Sequence, residues 1–331
     1  MHDLYLITGA TGNLGRTIIQ ALQERGARIR ALVMPGDPGE EDLPEGVEVI
    51  HGDVRDGTSL SDFFRGDLRG ACLIHCAGLI TIASKAPPML WQVNVEGTRH
   101  VLQGCRAHGV GRVVYVSSVH AIPEGKRGQI LREVSRFSPE GVRGHYAKSK
   151  AAATAIALEA ARNGLNLSVV HPSGILCPGD GGRGNTSSVI LSYCQGKLPV
   201  ATRGGYDFVD VRDVAQGTLA CAARGRQGEC YILSGRYATL EEILGYIRRR
   251  TGGRRVAYLP LWFVRLLAPA LEAIRLLRGQ PLFLTPYSAY TLGSPAAFSH
   301  EKASLELGYR PRRLEETLDD VLAGLGKPGR P

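Results

Sequence analysis

Among nine histidines and seven cysteines there is no HExxH, no CxxC pair and no Cys/His cluster, which excludes a zinc ribbon or a zinc-protease site by spacing. The cysteines, at 72, 76, 105, 177, 194, 221 and 230, are odd in number and irregularly spaced, so no disulfide framework is expected and a reducing, cytoplasmic setting fits best. Lysine is scarce too, with seven against 33 arginines for a net charge of +9. The arginines are scattered except at Arg248-Arg249-Arg250 and at Arg254 and Arg255, and no aromatics interleave with them. That pattern reads as a solvated helix end rather than a nucleic-acid surface, and anionic cofactor phosphates are partner enough. No basic region and apolar stretch precede the strand-like Leu4-Tyr5-Leu6-Ile7, so secretion is not expected. The most apolar segment, Leu259 to Leu277, contains Arg265, Pro269, Glu272 and Arg275. Those residues exclude a transmembrane span and leave a core helix, a pocket lid or a membrane-surface helix as readings.

What is present is an alternation of short β-branched runs with helical patterns, the signature of a doubly wound α/β fold with a parallel sheet of Rossmann type. Strands are expected near 4–8, 28–34, 47–52, 71–76, 112–117 and 166–171, with helices near 13–25, 58–65, 91–108 and 146–163. After His171-Pro172 the pattern becomes irregular: a Gly-rich stretch at 179–184, a short helix near 187–196, and strands near 206–211 and 230–235 that rejoin or edge the sheet. Residues 1–174 therefore read as a dinucleotide-binding domain, with 206–235 returning to it. Residues 175–205 and 236–331, mostly helical towards the end, read as a smaller substrate lobe over the carboxyl edge of the sheet.

Gly9-Ala10-Thr11-Gly12-Asn13-Leu14-Gly15 sits at the first strand-to-helix turn. Its glycines permit a tight turn, close approach of backbone to a pyrophosphate and close packing of helix on strand, with the helix N-terminus facing the anion. Farther on, the Asp53 side chain of Gly52-Asp53-Val54 has two readings, an acceptor for an adenine amino group or an N-cap for 58–65. Cys76-Ala77-Gly78 ends the fourth strand with bare backbone beside the cofactor. Where an acid would bind the 2′-hydroxyl of NAD, the chain has Met34, so either NAD or NADP is permitted. Arg16 and Arg30 are candidates to reach a 2′-phosphate and Asp37 is close enough to oppose it, which leaves a small margin for NADP.

Tyr146 and Lys150 are spaced i, i+4 on an Ala-rich helix, so they share one face. Tyr193 and Lys197 repeat the spacing, but Gly196 breaks that pair and no buried strand precedes it. The first pair follows Val113-Val114-Tyr115-Val116-Ser117-Ser118, whose end delivers two hydroxyls to the ligand edge. A phenol of pKa about 10 is a poor base near neutrality, and an ammonium about 4 Å away would favour the phenolate by roughly three pKa units. Lys150 would also hold the nicotinamide ribose, while Ser118, with Ser117 as fallback, would bond the substrate oxygen. Asn94 either connects the lysine to water or bonds neighbouring backbone. His75, His120, His145 and His171 read as polar lining, and no metal site is expected.

With these residues in order, the chain resembles the extended short-chain dehydrogenase/reductases nearly end to end. Phe208-Val209-Asp210-Val211-Arg212-Asp213-Val214-Ala215 is similar to that family's second-half signature. The stretches Glu301-Lys302-Ala303 and Leu307-Gly308-Tyr309-Arg310-Pro311 are similar to its C-terminal one. The chain looks closest to the 3β-hydroxysteroid dehydrogenase and dihydroflavonol reductase branch. That resemblance implies a cofactor bound by Gly9, Thr11, Gly12, Asn13, Leu14, Gly15, Met34, Asp53, Val54, Cys76, Ala77, Gly78, Tyr146 and Lys150, with Pro172-Ser173-Gly174 beside the nicotinamide. It also implies a homodimer paired through helices 91–108 and 146–163. A dehydrogenase or reductase acting on an apolar, steroid-like or flavonoid-like small molecule is the leading reading. A nucleotide-sugar epimerase or dehydratase is the second and a non-catalytic dinucleotide sensor the third. Against the second, sugar-nucleotide relatives carry a diphosphate-clamping arginine where this chain has Tyr206, although Arg203 lies near.

Overall fold

Seven short runs rich in Val, Ile and Leu hydrogen-bond into one all-parallel sheet: β1 (Leu4–Thr8), β2 (Ile29–Val33), β3 (Glu48–His51), β4 (Ala71–His75), β5 (Arg112–Val116), β6 (Leu167–Pro172) and β7 (Cys230–Leu233). All but β3 are buried along their whole length, as expected of strands covered by helices on both faces. The computed structural model describes residues 2–126, 128–181, 184–198, 200–278 and 284–325. The spatial order β7-β6-β5-β4-β1-β2-β3 reverses direction between β1 and β4, and that reversal opens the crevice where Rossmann folds bind ligands.

Two cores flank the sheet. The helices Asn13–Gln23 and Val211–Arg224 bury Ile18, Ile19, Leu22, Val214 and Leu219 against one face. Gly97–Ala107 and His145–Arg162 cover the other with Val101, Leu102, Ala153 and Ala157. The small side chains of the second pair let backbone approach the sheet closely.

The structure departs from the sequence expectation in four places. The helix expected over 58–65 is a single 3₁₀ turn, Gly57–Leu60. Phe63 and Phe64 follow the turn and are both fully buried in the core beneath it. The helix expected over 91–108 begins earlier, at Met89, and is wound as a π-helix over Gln92–Glu96. Of the two later strands, only Cys230–Leu233 joins the main sheet. Gly205–Asp210 instead pairs parallel with Gly174–Leu176 and antiparallel with Arg236–Thr239 in a separate three-stranded sheet. Finally, the apolar helix Leu261–Leu277 buries only Val264, Ala268 and Glu272, while Trp262 is 69% and Leu277 88% exposed. The core-helix reading is thereby removed. Among the described residues no helix is long and apolar enough to cross a membrane.

A third core, with Leu176, Ile190, Tyr193, Phe208, Ile243 and Leu318, holds the short Asn185–Cys194 helix against Leu240–Thr251 and Leu314–Gly324. Arg249 and Arg250 lie in the last turn of Leu240–Thr251, where cations complement the helix dipole; Arg250 bonds Asp319 at 2.8 Å.

At the far end of the sheet Arg112 is buried, with no carboxylate partner among the described residues. Its guanidinium donates to Asn166 Oδ1 at 2.7 Å, Ser168 Oγ at 2.7 Å and the Cys221 carbonyl at 2.9 Å, tying β5, β6 and the Val211–Arg224 helix together. Arg112→Met removes these bonds and strands their acceptors, so urea unfolding is expected to show a loss of about 3 kcal/mol. A loss below about 1 kcal/mol would show that the cluster does not clamp the sheet.

Candidate active site

The crevice is built from backbone first. Gly9 has φ +66°, and a Cβ there would lie 2.7 Å from the Ala77 nitrogen and 2.8 Å from the Cys76 carbonyl carbon. A Cβ on Gly15 would run into the Gly9 carbonyl. Both positions therefore require glycine, one for the approach of the β1 end to the β4 end and the other for packing the first helix on the turn. Thr8 locks the junction: its Oγ1 accepts from the Ala77 amide at 3.2 Å and bonds His75 Nδ1 at 2.6 Å. The Asn13–Gln23 helix starts at Gly12 with no side-chain cap and no acid in its first turn, so its leading amides face outward. This cradle fits a dinucleotide pyrophosphate.

The candidate proton-transfer residues Tyr146 and Lys150 lie by the end of β5, where Lys150 Nζ reaches the Val116 carbonyl. Tyr146 is buried one residue into its helix, and burial pushes its phenol up to about 12, with a hydrogen bond to Ser118 pulling the other way. Lys150, one turn later, is buried and pushed down to about 8 by burial. Its Nζ donates to the Val116 carbonyl at 2.9 Å and reaches the Tyr115 hydroxyl at 3.5 Å. A Cβ on Gly78 would sit 3.3 Å from Lys150 Nζ and 3.4 Å from Asn94 Oδ1, so that glycine leaves open space beside both. The expectation that Lys150 draws the Tyr146 pKa down is corrected here. The ammonium faces the end of β5, and burial dominates both groups.

Residues 5–234 match the model of the NAD dependent epimerase/dehydratase family. The chain belongs to that family. It is 32% identical to sterol demethylase protein B of Methylococcus capsulatus, over 98% of each chain. It is 30% identical to human 3 beta-hydroxysteroid dehydrogenase type 7, over 93% of this chain and 91% of that one. Among solved structures, the crystal structure of gox2253 is 30% identical and superposes with a TM-score of 0.85 over 99% of both chains. This is an extended short-chain dehydrogenase/reductase, from a family of NAD-dependent enzymes.

The remaining residues of this family member divide clearly. Asn94 exchanges two hydrogen bonds with the Leu79 backbone, at 2.7 and 3.0 Å, and donates to Ser149 Oγ at 2.9 Å, so the backbone-bonding reading is the one observed. The π-helical turn carries it there. Ser117 is buried and bonds Thr154 Oγ1 at 2.7 Å. The cap at 57–60 is Asp56, accepting from the Thr58 amide at 3.0 Å, whereas Asp53 is held by Arg55, with its amide at 2.9 Å and its Nε at 2.8 Å. Val54 is buried and Met34 is 50% exposed. Pro172 ends β6, Ser173 is buried, and a Cβ on Gly174 would press on the Tyr206 ring at 2.9 Å. Arg30 faces away, donating to Glu48 at 2.8 Å and to the Arg65 carbonyl at 2.8 Å, and Arg16 pairs with Asp42. Arg203 is 75% exposed and pairs with Glu241. Tyr193 donates to the Arg254 carbonyl at 2.9 Å within the third core, apart from this site.

The histidines were grouped too simply by sequence. His145 is exposed and lines nothing. His75 bridges Thr8 and Thr98 in the interior, and His171 bonds the Ser118 carbonyl at 2.9 Å. His120 alone meets the site's side chains, bonding the hydroxyls of Tyr206 and Tyr287. Tyr287 was missed altogether, because nothing in Thr285-Pro286-Tyr287-Ser288 shows that a helix some 140 residues downstream of Tyr146 returns to it.

Burial pushes His75 down to about 3, and His120 and His171 to about 4, so all three fold as neutral rings. The unfolded chain binds their protons below about 6.5 and the native state does not, so stability is complete above that pH and falls as pH drops towards 4. At pH 5 the loss is about 2 kcal/mol per ring. Asp207, pushed up to about 6 by burial, works in the opposite direction and offsets part of it. The urea midpoint is expected to fall clearly between pH 7.5 and pH 5, and an unchanged midpoint would contradict neutral burial.

Proposed function

We propose that the protein interconverts a ketone and a secondary alcohol on a largely apolar, hydroxysteroid-like or flavonoid-like substrate, using NAD(P) with Tyr146 as general acid and base. The observation carrying this reading is the pairing of Tyr146 with Ser118 at the end of β5, with Lys150 beside the open space at Gly78. When bound, the nicotinamide supplies or accepts the hydride. Ser118 bonds the substrate oxygen and orients it, and Tyr146, still protonated at neutral pH, gives that oxygen its proton as charge develops. Lys150 holds the nicotinamide ribose with Asn94 and Ser149 steadying the wall opposite, and Pro172-Ser173-Gly174 closes the nicotinamide side. Thr11, Asn13 and Leu14 line the pyrophosphate turn, and Asp53 with Val54 borders the adenine. Residues 1–174 and the returning strand β7 form the cofactor domain in this reading, and 175–205 with 236–331 form the substrate lobe.

Two observations weigh against a nucleotide-sugar substrate: Tyr206 is bound to His120, and Arg203 is engaged with Glu241 at the surface. Tyr146→Phe is expected to cut kcat about 1,000-fold while leaving cofactor affinity within a few fold, because only the proton donor is lost. Tyr193→Phe should be mild. Retained turnover in Tyr146→Phe would reject the assignment. Conversion of a UDP- or dTDP-sugar with no conversion of hydroxysteroids or flavanonols would establish the epimerase alternative, and binding without any turnover the sensor.

For the cofactor, the reading moves from a narrow preference for NADP to NAD. Asp37 accepts from the Thr11 hydroxyl at 2.7 Å and from the Gly39 amide at 2.9 Å, which holds a carboxylate beside the glycine turn, while Arg16 and Arg30 are committed elsewhere. Fluorescence titration should give tighter binding of NADH than of NADPH, with the gap narrowed in Asp37→Asn. Tighter binding of NADPH by the wild type would reverse the choice.

The same reading includes a cytoplasmic homodimer paired through helices 91–108 and 146–163, and contact of Leu261–Leu277 with an anionic lipid surface. Support for the lipid contact is the exposure of Trp262, Leu266, Ile274 and Leu277 on a helix whose acid, Glu272, is buried against Ser84. Native mass spectrometry and flotation with phosphatidylglycerol vesicles test these two statements.

A further inference from the structure

Tyr146 is not the only phenol at the site. His120, two residues after Ser118, stands edge-on to the Tyr146 ring with centroids 5.8 Å apart. Its Nε2 lies 2.9 Å from the Tyr206 hydroxyl and its Nδ1 3.0 Å from the Tyr287 hydroxyl. The three side chains come from distant elements: the turn after β5, the strand Gly205–Asp210 and the helix Pro286–Thr291. Tyr287 also packs its ring on Gly144, directly before the catalytic helix, where φ is +88° and a Cβ would collide with it. Val119, Ile122, Leu131, Val142 and Phe298 supply apolar walls to a cavity around the three groups, with Arg143 and Glu124 at its rim.

A neutral imidazole has one N–H and one bare nitrogen. One of the two phenols must therefore donate its proton to the ring, and the other must accept the ring's N–H. Whichever accepts keeps its own hydroxyl proton, and no protein acceptor within hydrogen-bond distance takes it among the described residues. Either tautomer leaves one O–H donor to spare. The surroundings also limit what that donor can meet. Enclosure keeps His120 uncharged, and both phenols are raised above their ordinary range by burial. The two charges at the rim, Arg143 and Glu124, oppose each other and are both engaged by Tyr290. The spare hydroxyl lies farther in than these opposite charges, where an uncharged oxygen can accept from it.

We propose that His120, Tyr206 and Tyr287 form a specificity site that donates one hydrogen bond to a second, uncharged oxygen of the substrate, a carbonyl, hydroxyl or ether set apart from the reacting carbon. The inference rests on the ketone and alcohol reading above and narrows it to compounds bearing two oxygens. The His120 and Tyr146 ring centroids are 5.8 Å apart, which favours a compact substrate whose two oxygens share one fused ring system.

The test compares decalin-1,6-dione with the matching monoketone, 1-decalone, on the full chain with saturating reduced cofactor. The ratio of their kcat/KM values reads the site, since partial unfolding or a displaced Tyr146 lowers both values together. In the wild type the dione should be preferred by up to about tenfold, the worth of one neutral hydrogen bond. In the Tyr206→Phe/Tyr287→Phe double variant the ratio should fall to within about twofold of one. Either single variant should keep part of the preference, since the ring can turn its N–H to the remaining phenol and leave that phenol's own proton free. A wild-type ratio near one, or a ratio unchanged in the double variant, overturns the proposal. The Kd ratio for the same two compounds, from fluorescence quenching with oxidised cofactor bound, separates the two readings. A preference for binding the dione that is lost in the double variant, without turnover of either compound, upholds the site and rejects the reductase reading.

Discussion

The structure depends on a backbone contact that no side chain could replace. Where β1 and β4 part, Gly9 touches the Ala77 amide, and the sheet is open at that point because its helices leave in opposite directions. Thr8 and His75 fasten the two strand ends from below and Thr98 holds His75 from the helix above, so the floor of the crevice is rigid before any ligand arrives. Gly78, a few residues on, continues the bare backbone to the space beside Lys150. Rigidity of this kind allows weak individual contacts to hold a cofactor in one orientation.

Exclusion of water is the second theme. Tyr146, Lys150, His75, His120 and His171 are all moved by burial towards their neutral forms. Enclosure strengthens the hydrogen bonds in the site, while Lys150, at about 8, stays largely protonated near neutral pH. Among side chains from beyond residue 200, those that meet His120 are the hydroxyl groups of Tyr206 and Tyr287. The arginines are satisfied elsewhere: Arg203 by Glu241, Arg250 by Asp319, and Arg312 by Asp213.

The amino-acid pattern by itself determined the strand and helix alternation, the glycine turn and the Tyr146 and Lys150 pair, because each is a local matter. A buried strand needs a short apolar run, a tight turn needs glycine, and an i, i+4 spacing puts two side chains on one face. Other features were decided only in three dimensions. The helix expected near 58–65 shortened to one 3₁₀ turn capped by Asp56, and a π-helical turn delivered Asn94 to the Leu79 backbone. Pairing to Gly174–Leu176 and Arg236–Thr239 drew Gly205–Asp210 away from the main sheet. The charge state of Tyr146 likewise followed from burial and from where Lys150 Nζ points, which no spacing reveals. The partners of His120 lie 86 and 167 residues away, and contacts at that separation depend on how the lobe folds back over the sheet. Sequence periodicity reports the faces of single elements, and only packing brings those faces together.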